Sequence, residues 1–163
     1  MNSSMASYNI ASPVGIIADT HGLLRGEALV LLQGCELILH LGDVGNKEED
    51  KAILEHLETL APVHCVQGNI DTAAWAGSLP VHQDIMVNDH HLHLVHRLAD
   101  FDPSTPCDAV LHGHSHKPRN ETQAGILLFN PGAAGKRRFK LPITLGKLWI
   151  DQRGIRGAII HLL

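Results

Sequence analysis

The chain has 163 residues, 44% of them hydrophobic and 18% charged, with a formal net charge of −4. That length supports one domain with its own core, and the mild acidity disfavours binding to long nucleic acid through a basic face. No apolar run approaches the ~20 residues of a bilayer-spanning helix, and Cys35, Cys65 and Cys107 are odd in number and far apart, so a disulfide scaffold is disfavoured and a cytoplasmic protein is expected.

The opening stretch "MNSSMASYNIASP" lacks the basic and apolar regions of a signal peptide. Residues 1–12 read as a flexible terminus and 13–163 as a single domain. The run "VGIIA" is a short buried strand that stops at Asp19-Thr20-His21-Gly22. Leu24, Ala28, Leu29 and Leu32 then recur at helical spacing, with Gly34 placed as a C-terminal cap. A second strand, "CELILHLGD", ends at Gly42-Asp43, and Asn46 with Glu49 forms a capping-box-like start for the amphipathic "KEEDKAILEHLETLA". Pro62 stops that helix, "VHCVQ" follows as a strand, and Gly68-Asn69-Ile70-Asp71 closes it.

Beyond an irregular stretch around Trp75, "DIMVNDHHLHLVHR" reads as a hairpin turning at Asn88-Asp89. With a period of two, Leu92, Leu94 and His96 share one face of its second strand. "CDAVLHGHSH" supplies a further buried strand running into His114 and His116. From Lys117 onward the pattern is mostly antiparallel β, with Gly-containing turns. Strands alternating with helices, followed by hairpins, predict an α/β fold of two packed mixed β-sheets flanked by helices.

Thirteen histidines in this chain supply roughly one His-x-His pair by chance, so His114-x-His116 alone proves little. Asp19 also suits a helix N-cap, and Asp43 and Asn69 suit turns. Their common placement at strand ends sets them apart, because open α/β sheets form their sites outside the carboxyl ends of strands. Asp19, His21, Asp43, Asn69, His96, His114 and His116 are a mixed oxygen and imidazole set, too large for one four-coordinate ion. Two borderline divalent ions are the natural count, with the central carboxylate Asp43 as a bridge. His40, His64, His91, His93 and His112 sit within or before strands and read as structural, and the basic "GKRRFK" at 135–140 reads as a solvated loop.

In the order Asp19-x-His21, Gly42-Asp43, Gly68-Asn69, His96 and Gly113-His114-x-His116, with "NPGA" at 130–133, nearly the whole chain resembles the calcineurin-like metallophosphoesterases. Within them it is similar to the small single-domain, YfcE-like branch of bacterial and archaeal phosphodiesterases. The resemblance implies an αββα sandwich and a dinuclear centre, with Asp19, His21 and His116 on one ion, Asn69, His96 and His114 on the other, and Asp43 bridging. It implies Mn first, with Ni, Fe or Zn as alternatives, and attack of a metal-bound hydroxide on a small phosphate ester, with Asp43, Asn69 and His96 in catalytic positions.

Two positions depart from the family pattern. Many larger relatives carry a His directly after the metal-binding Asn, where this chain has Ile70, so a general acid is missing there. The fourth block often reads His-Gly, where this chain has His96-Arg97, and Arg97 becomes a candidate phosphate contact. The family resemblance also includes the retromer-type adaptor Vps29, which makes a non-catalytic protein-interaction module the alternative reading. Homo-oligomerisation is left open by the sequence.

Overall fold

Short apolar runs joined by amphipathic helices leave parallel pairing as the simplest way to bury both strand faces. In a computed structural model, which describes residues 5–163, β2 (Val14–Ile17), β3 (Leu37–His40) and β4 (Val63–Cys65) are parallel neighbours. The crossovers carry α1 (Gly26–Leu32) and α2 (Lys51–Glu58). Ala28, Leu32, Ile53, Leu54 and Leu57 from these helices pack with Ile17, Ile38 and Leu145 of the sheet, each buried large side chain contributing about 2 kcal/mol. Gly34 sits at φ +86° just beyond α1, as its placement predicts. The entry to α2 differs from expectation: a 3-10 turn at Glu48–Asp50 precedes the helix, and there the Lys47 N–H donates to Asp50 Oδ2 at 3.0 Å, so Lys47 and buried Asp50 take the parts assigned to Asn46 and Glu49.

The hairpin β10 (Thr144–Asp151) and β11 (Gly154–His161) adds antiparallel to β2, giving the order β11-β10-β2-β3-β4. A second sheet has the order β1-β5-β6-β7-β9-β8, from β1 (Ala6–Tyr8), β5 (His82–Val87), β6 (His90–Val95), β7 (Ala109–Leu111), β8 (Arg119–Gln123) and β9 (Ile126–Asn130). The β5–β6 turn has Asn88 and Asp89 at φ +48° and +68°, the type I′ geometry that these residue types tolerate. The sheets pack face to face over Ile16, Leu39, Leu94, Leu111 and Phe129, the two-sheet architecture expected. Both α-helices cover the five-stranded sheet. On the other sheet's outer side, Phe101 follows a 3-10 turn at Leu98–Asp100 and packs at a tilt against the His93 ring, 5.1 Å between centroids.

The terminus is a correction. Residues 6–8, read as part of a flexible segment, form β1 and pair in parallel with β5, Ala6 opposite Ile85 and Tyr8 opposite Val87. The Tyr8 hydroxyl meets His64 Nε2 at 2.6 Å, and Tyr8 and Ile10 pack against the inter-sheet core. Three residues carry no local strand signal; the partner lies far along the chain. Residues 1–4 of that expected segment lie outside the described residues. No helix among the described residues is long and apolar enough to cross a membrane.

Parallel pairing of β2, β3 and β4, and of β6, β7 and β9, points the carboxyl ends of six strands toward one edge. Every chemically interesting loop leaves from that edge.

Candidate metal centre

The loops that leave these strand ends are held in a backbone conformation that ordinary residues avoid. Asp19, His21, Asp43, His114 and His116 lie at φ +55°, +46°, +58°, +72° and +63°. Asp and His tolerate this region better than most, yet each such residue costs roughly 1 kcal/mol or more, and strain of this kind collects at functional sites. Loop-to-loop hydrogen bonds hold it: Asp19 N–H to Gly42 O at 3.0 Å, His21 N–H to Asp43 O at 3.0 Å, and His114 N–H to Asp19 Oδ2 at 3.1 Å. Two glycines allow the close approach. A Cβ at Gly68 would overlap the Asp43 backbone nitrogen and carboxylate, and one at Gly42 would stand 2.7 Å from His96 Nδ1.

All seven donors predicted from sequence converge. Asp43 Oδ2 lies 3.3 Å from both His21 Nε2 and His96 Nε2. Asp19 Oδ1 lies 3.7 Å from His21 Nε2 and 3.6 Å from His116 Nε2. Asn69 Oδ1 is 3.1 Å from both His96 Nε2 and His114 Nδ1. Two triads, Asp19/His21/His116 and Asp43/His96/His114, each place their ligand atoms within 4.8 Å of one another. Such separations suit nitrogen and oxygen donors bound at roughly 2.1 Å to a divalent ion.

The hydrogen bonding tests whether a cation fits. His96 Nδ1 donates to the Leu41 carbonyl at 2.7 Å, so in the neutral ring the Nε2 lone pair faces the oxygens of Asp43 and Asn69. Acceptors meeting acceptors need a proton or a cation between them. Asp19 Oδ1, His21 Nε2 and both ring nitrogens of His116 are buried without any hydrogen-bond partner. Buried polar atoms are almost always satisfied, and a cation would supply the partner that these atoms lack.

Charge responds to the same crowding. The Asp19 and Asp43 carboxylates hold the His21 ring's pKa up at about 9. Burial works against charge on Asp43, yet the His21 and His96 rings beside it reverse that and leave its carboxyl well below the usual range. Burial likewise opposes charge on His96, where the Asp43 and Asp19 carboxylates prevail and raise it, whereas burial dominates at His116 and lowers it.

Three supports of this centre were not assigned from the sequence. Buried Asp71 accepts the backbone N–H groups of Asp43 at 2.9 Å, Gly68 at 2.8 Å and Gly45 at 3.1 Å, tying two ligand loops together. Its only signal in the sequence is a carboxylate just past the Gly68-Asn69 pair. Thr20 Oγ1 donates to Val44 O at 2.9 Å and lies 3.1 Å from His40 Nε2, while His40 Nδ1 accepts from Gly42 N–H at 3.1 Å. Asn130 Nδ2 reaches Gly113 O at 3.2 Å and Ser115 Oγ at 3.1 Å, so the "NPG" loop props the His114–His116 turn. His64 pairs with Tyr8 and Gln83, and His91 and His93 both meet Asp84 Oδ1, at 2.7 and 2.8 Å.

Around the donors runs a cleft of about 450 Å³, lined in part by His21, Asp43, Asn69, Ile70, Lys136, Arg137 and Arg138. The basic stretch expected to be a solvated loop therefore forms the rim of this cleft. Arg97 does not line it. Its Nε pairs with Asp100 Oδ2 at 3.1 Å, and its side chain borders a neighbouring hollow that includes His112, His114 and Arg119.

Residues 13–153 match the calcineurin-like phosphoesterase superfamily domain. The chain is 30% identical to a probable metallophosphoesterase of Methanothermobacter thermautotrophicus, over 91% of each chain. Among solved structures it is similar to an archaeal phosphodiesterase (TM-score 0.73, 21% identity, 91% of this chain and 100% of that one). It is also similar to the phosphoesterase YfcE of E. coli (TM-score 0.69, 22% identity, 93% and 100%), and Vps29 chains of Entamoeba histolytica share the fold. Structural likeness at these identities speaks to the fold alone, and the family match over most of the chain carries the rest: this protein belongs to the calcineurin-like phosphoesterase superfamily.

Proposed function

We propose that the protein is a metal-dependent hydrolase of a small phosphate ester, in the first instance a phosphodiester, working through a dinuclear centre. Asp19, His21 and His116 hold one ion, Asn69, His96 and His114 the other, and Asp43 bridges. The observation that carries this reading is Asp43 Oδ2, 3.3 Å from a histidine of either set, amid buried donors that have no other partner. Bound divalent cations, Mn first among Mn, Ni, Fe and Zn, supply Lewis-acid chemistry there, lowering the pKa of a water and neutralising phosphoryl charge.

The chain's own residues position that chemistry. Leu41 O fixes the His96 ring through Nδ1, and Asp71 fixes Asp43 and the Gly68-Asn69 turn through their backbone. Lys136, Arg137 and Arg138 on the rim attract the anionic ester. Ile70 offers no proton to a leaving group. Three free thiols, Cys35, Cys65 and Cys107, fit a reducing cytoplasm.

A non-catalytic interaction module of the Vps29 kind has the shared fold in its favour. The complete candidate donor set, with the Asp19–His21, Asp43 and His114–His116 loops held under backbone strain, favours hydrolysis. The test is hydrolysis of a bis-aryl phosphodiester and its monoester by metal-stripped protein with Mn, Ni, Zn or Mg restored, beside Asp43→Asn. Metal-dependent turnover lost in the variant is expected. Bound metal without turnover for any ion overturns the reading in favour of the interaction module.

A further inference from the structure

Lys136, Arg137, Arg138, Phe139 and Lys140 follow a firmly anchored turn. Ala134 N–H donates to Ala18 O at 3.0 Å, Arg25 Nε donates to Gly135 O at 2.9 Å, and Gly135 lies so close to the Thr20 backbone that a Cβ would overlap its carbonyl. The anchor fixes the loop to the strand that delivers Asp19 and His21. From there the chain presents an aromatic ring to solvent. Phe139 is 84% exposed, the most exposed large hydrophobic among the described residues, and its backbone sits at φ +55°. A bulky residue gains nothing from that conformation and loses hydrophobic burial as well, so two costs coincide at one position beside the candidate centre.

The surroundings say what the ring could meet. A cleft of about 960 Å³ is lined by Phe139 and Leu141, by the cations Lys117, Arg138 and Lys140, and by His114 and Ser115. His114 and Arg138 also line the cleft over the metal donors, so the two spaces meet at those residues. The Arg138 guanidinium lies 5.7 Å from the Phe139 ring centroid. Two adjoining clefts that share His114 and Arg138 thus set the candidate centre, a phosphate-binding type of cation and a flat aromatic surface side by side, in a chain whose net charge is −4. A flat ring next to a cation is how proteins hold a nucleobase and its phosphate without reading base identity.

We propose that residues 136–141 form a nucleotide-recognition element, and that the substrate class is a nucleotidyl phosphodiester. Its phosphate lies at the metal donors, under Arg138, and its base stacks on Phe139 against Leu141. This rests on the phosphoesterase reading above and names the substrate class for that site. In the reaction, a water oxygen bonds to phosphorus and the phosphorus–oxygen bond to the leaving group breaks. The leaving oxygen keeps the electron pair, and the water's proton goes to solvent.

The experiment compares two esters with the same leaving group and the same scissile bond, thymidine 5′-(p-nitrophenyl phosphate) and methyl p-nitrophenyl phosphate, on Mn-loaded wild type, Phe139→Ala and Arg138→Ala. Wild type is expected to favour the thymidine ester about tenfold in kcat/KM, carried by KM, and Phe139→Ala to bring that ratio near one. Arg138→Ala should lower kcat/KM for both esters by a similar factor, because both share the phosphate. Turnover of both esters with no preference, or a preference that survives Phe139→Ala, overturns the inference and leaves the phosphoesterase reading standing. Should neither ester turn over, the phosphoesterase reading fails, and calorimetric titration of thymidine 5′-monophosphate decides the element separately: binding about tenfold weaker in Phe139→Ala supports it, and equal or absent binding overturns it.

Discussion

Replacing Asp71 separates positioning of the candidate metal centre from ligation, because its carboxylate touches the backbone of two candidate ligand loops and none of the seven candidate donors' side chains. Oδ2 accepts from Asp43 and Gly68, and Oδ1 from Gly45, all buried. Asp71→Ala leaves three N–H groups without acceptors, at roughly 1–3 kcal/mol each. Part of that is offset, since burial and the nearby Asp43 charge raise the Asp71 carboxyl pKa and so already tax its ionised form. A net loss of about 4 kcal/mol in stability follows. Asp71→Asn keeps an oxygen for Asp43 and Gly68, sets an amide donor against the Gly45 N–H and removes the buried charge, for a net loss of about 1 kcal/mol. Urea unfolding of metal-stripped protein measures both. Calorimetric Mn titration of the folded variants should show affinity lowered 10- to 100-fold in Asp71→Ala, the usual effect of losing a partner that orients ligands. Equal destabilisation by Asn and Ala, or Ala costing under about 1 kcal/mol, refutes the hydrogen-bond account.

Burial holds the His40 ring neutral with its pKa pushed down to about 3, against an unfolded value near 6.5, so the unfolded chain binds a proton that the folded one refuses. Stability of the metal-free protein should fall as pH drops from 6.5 towards 3, by about 1.4 kcal/mol per unit from this residue, and His40→Asn should flatten the profile; an identical slope in wild type and variant contradicts this. With Ile70 where a proton donor would stand, rates across a series of aryl and alkyl diesters should fall steeply as leaving-group pKa rises, and a flat dependence would show that another group protonates the leaving oxygen.

Strand ends were legible because their signal is local. Apolar runs of four or five residues that stop at Asp, Gly-Asp or Gly-Asn announce both the strand and the position of its first polar side chain, and parallel pairing gathers those ends without further information. His96 was also readable, since a period of two carries Leu92 and Leu94 onto the core and delivers the next residue on that face to the strand end. The short strand at Ala6–Tyr8 gave no such pattern, and its existence depends on an unpaired edge at β5.

Residue types and their order therefore determined the family, the two sheets and the placement of the seven candidate donors, because each follows from contacts made within one strand and its loop. Tertiary structure alone decided what surrounds them. Asp71 gains its role chiefly from N–H groups 28 and 26 residues away, and the basic loop reaches the cleft where Gly135 packs on Thr20. Hydrogen bonds and close packing between segments distant in sequence leave no periodic trace in either partner, so they become visible only when the chain is folded.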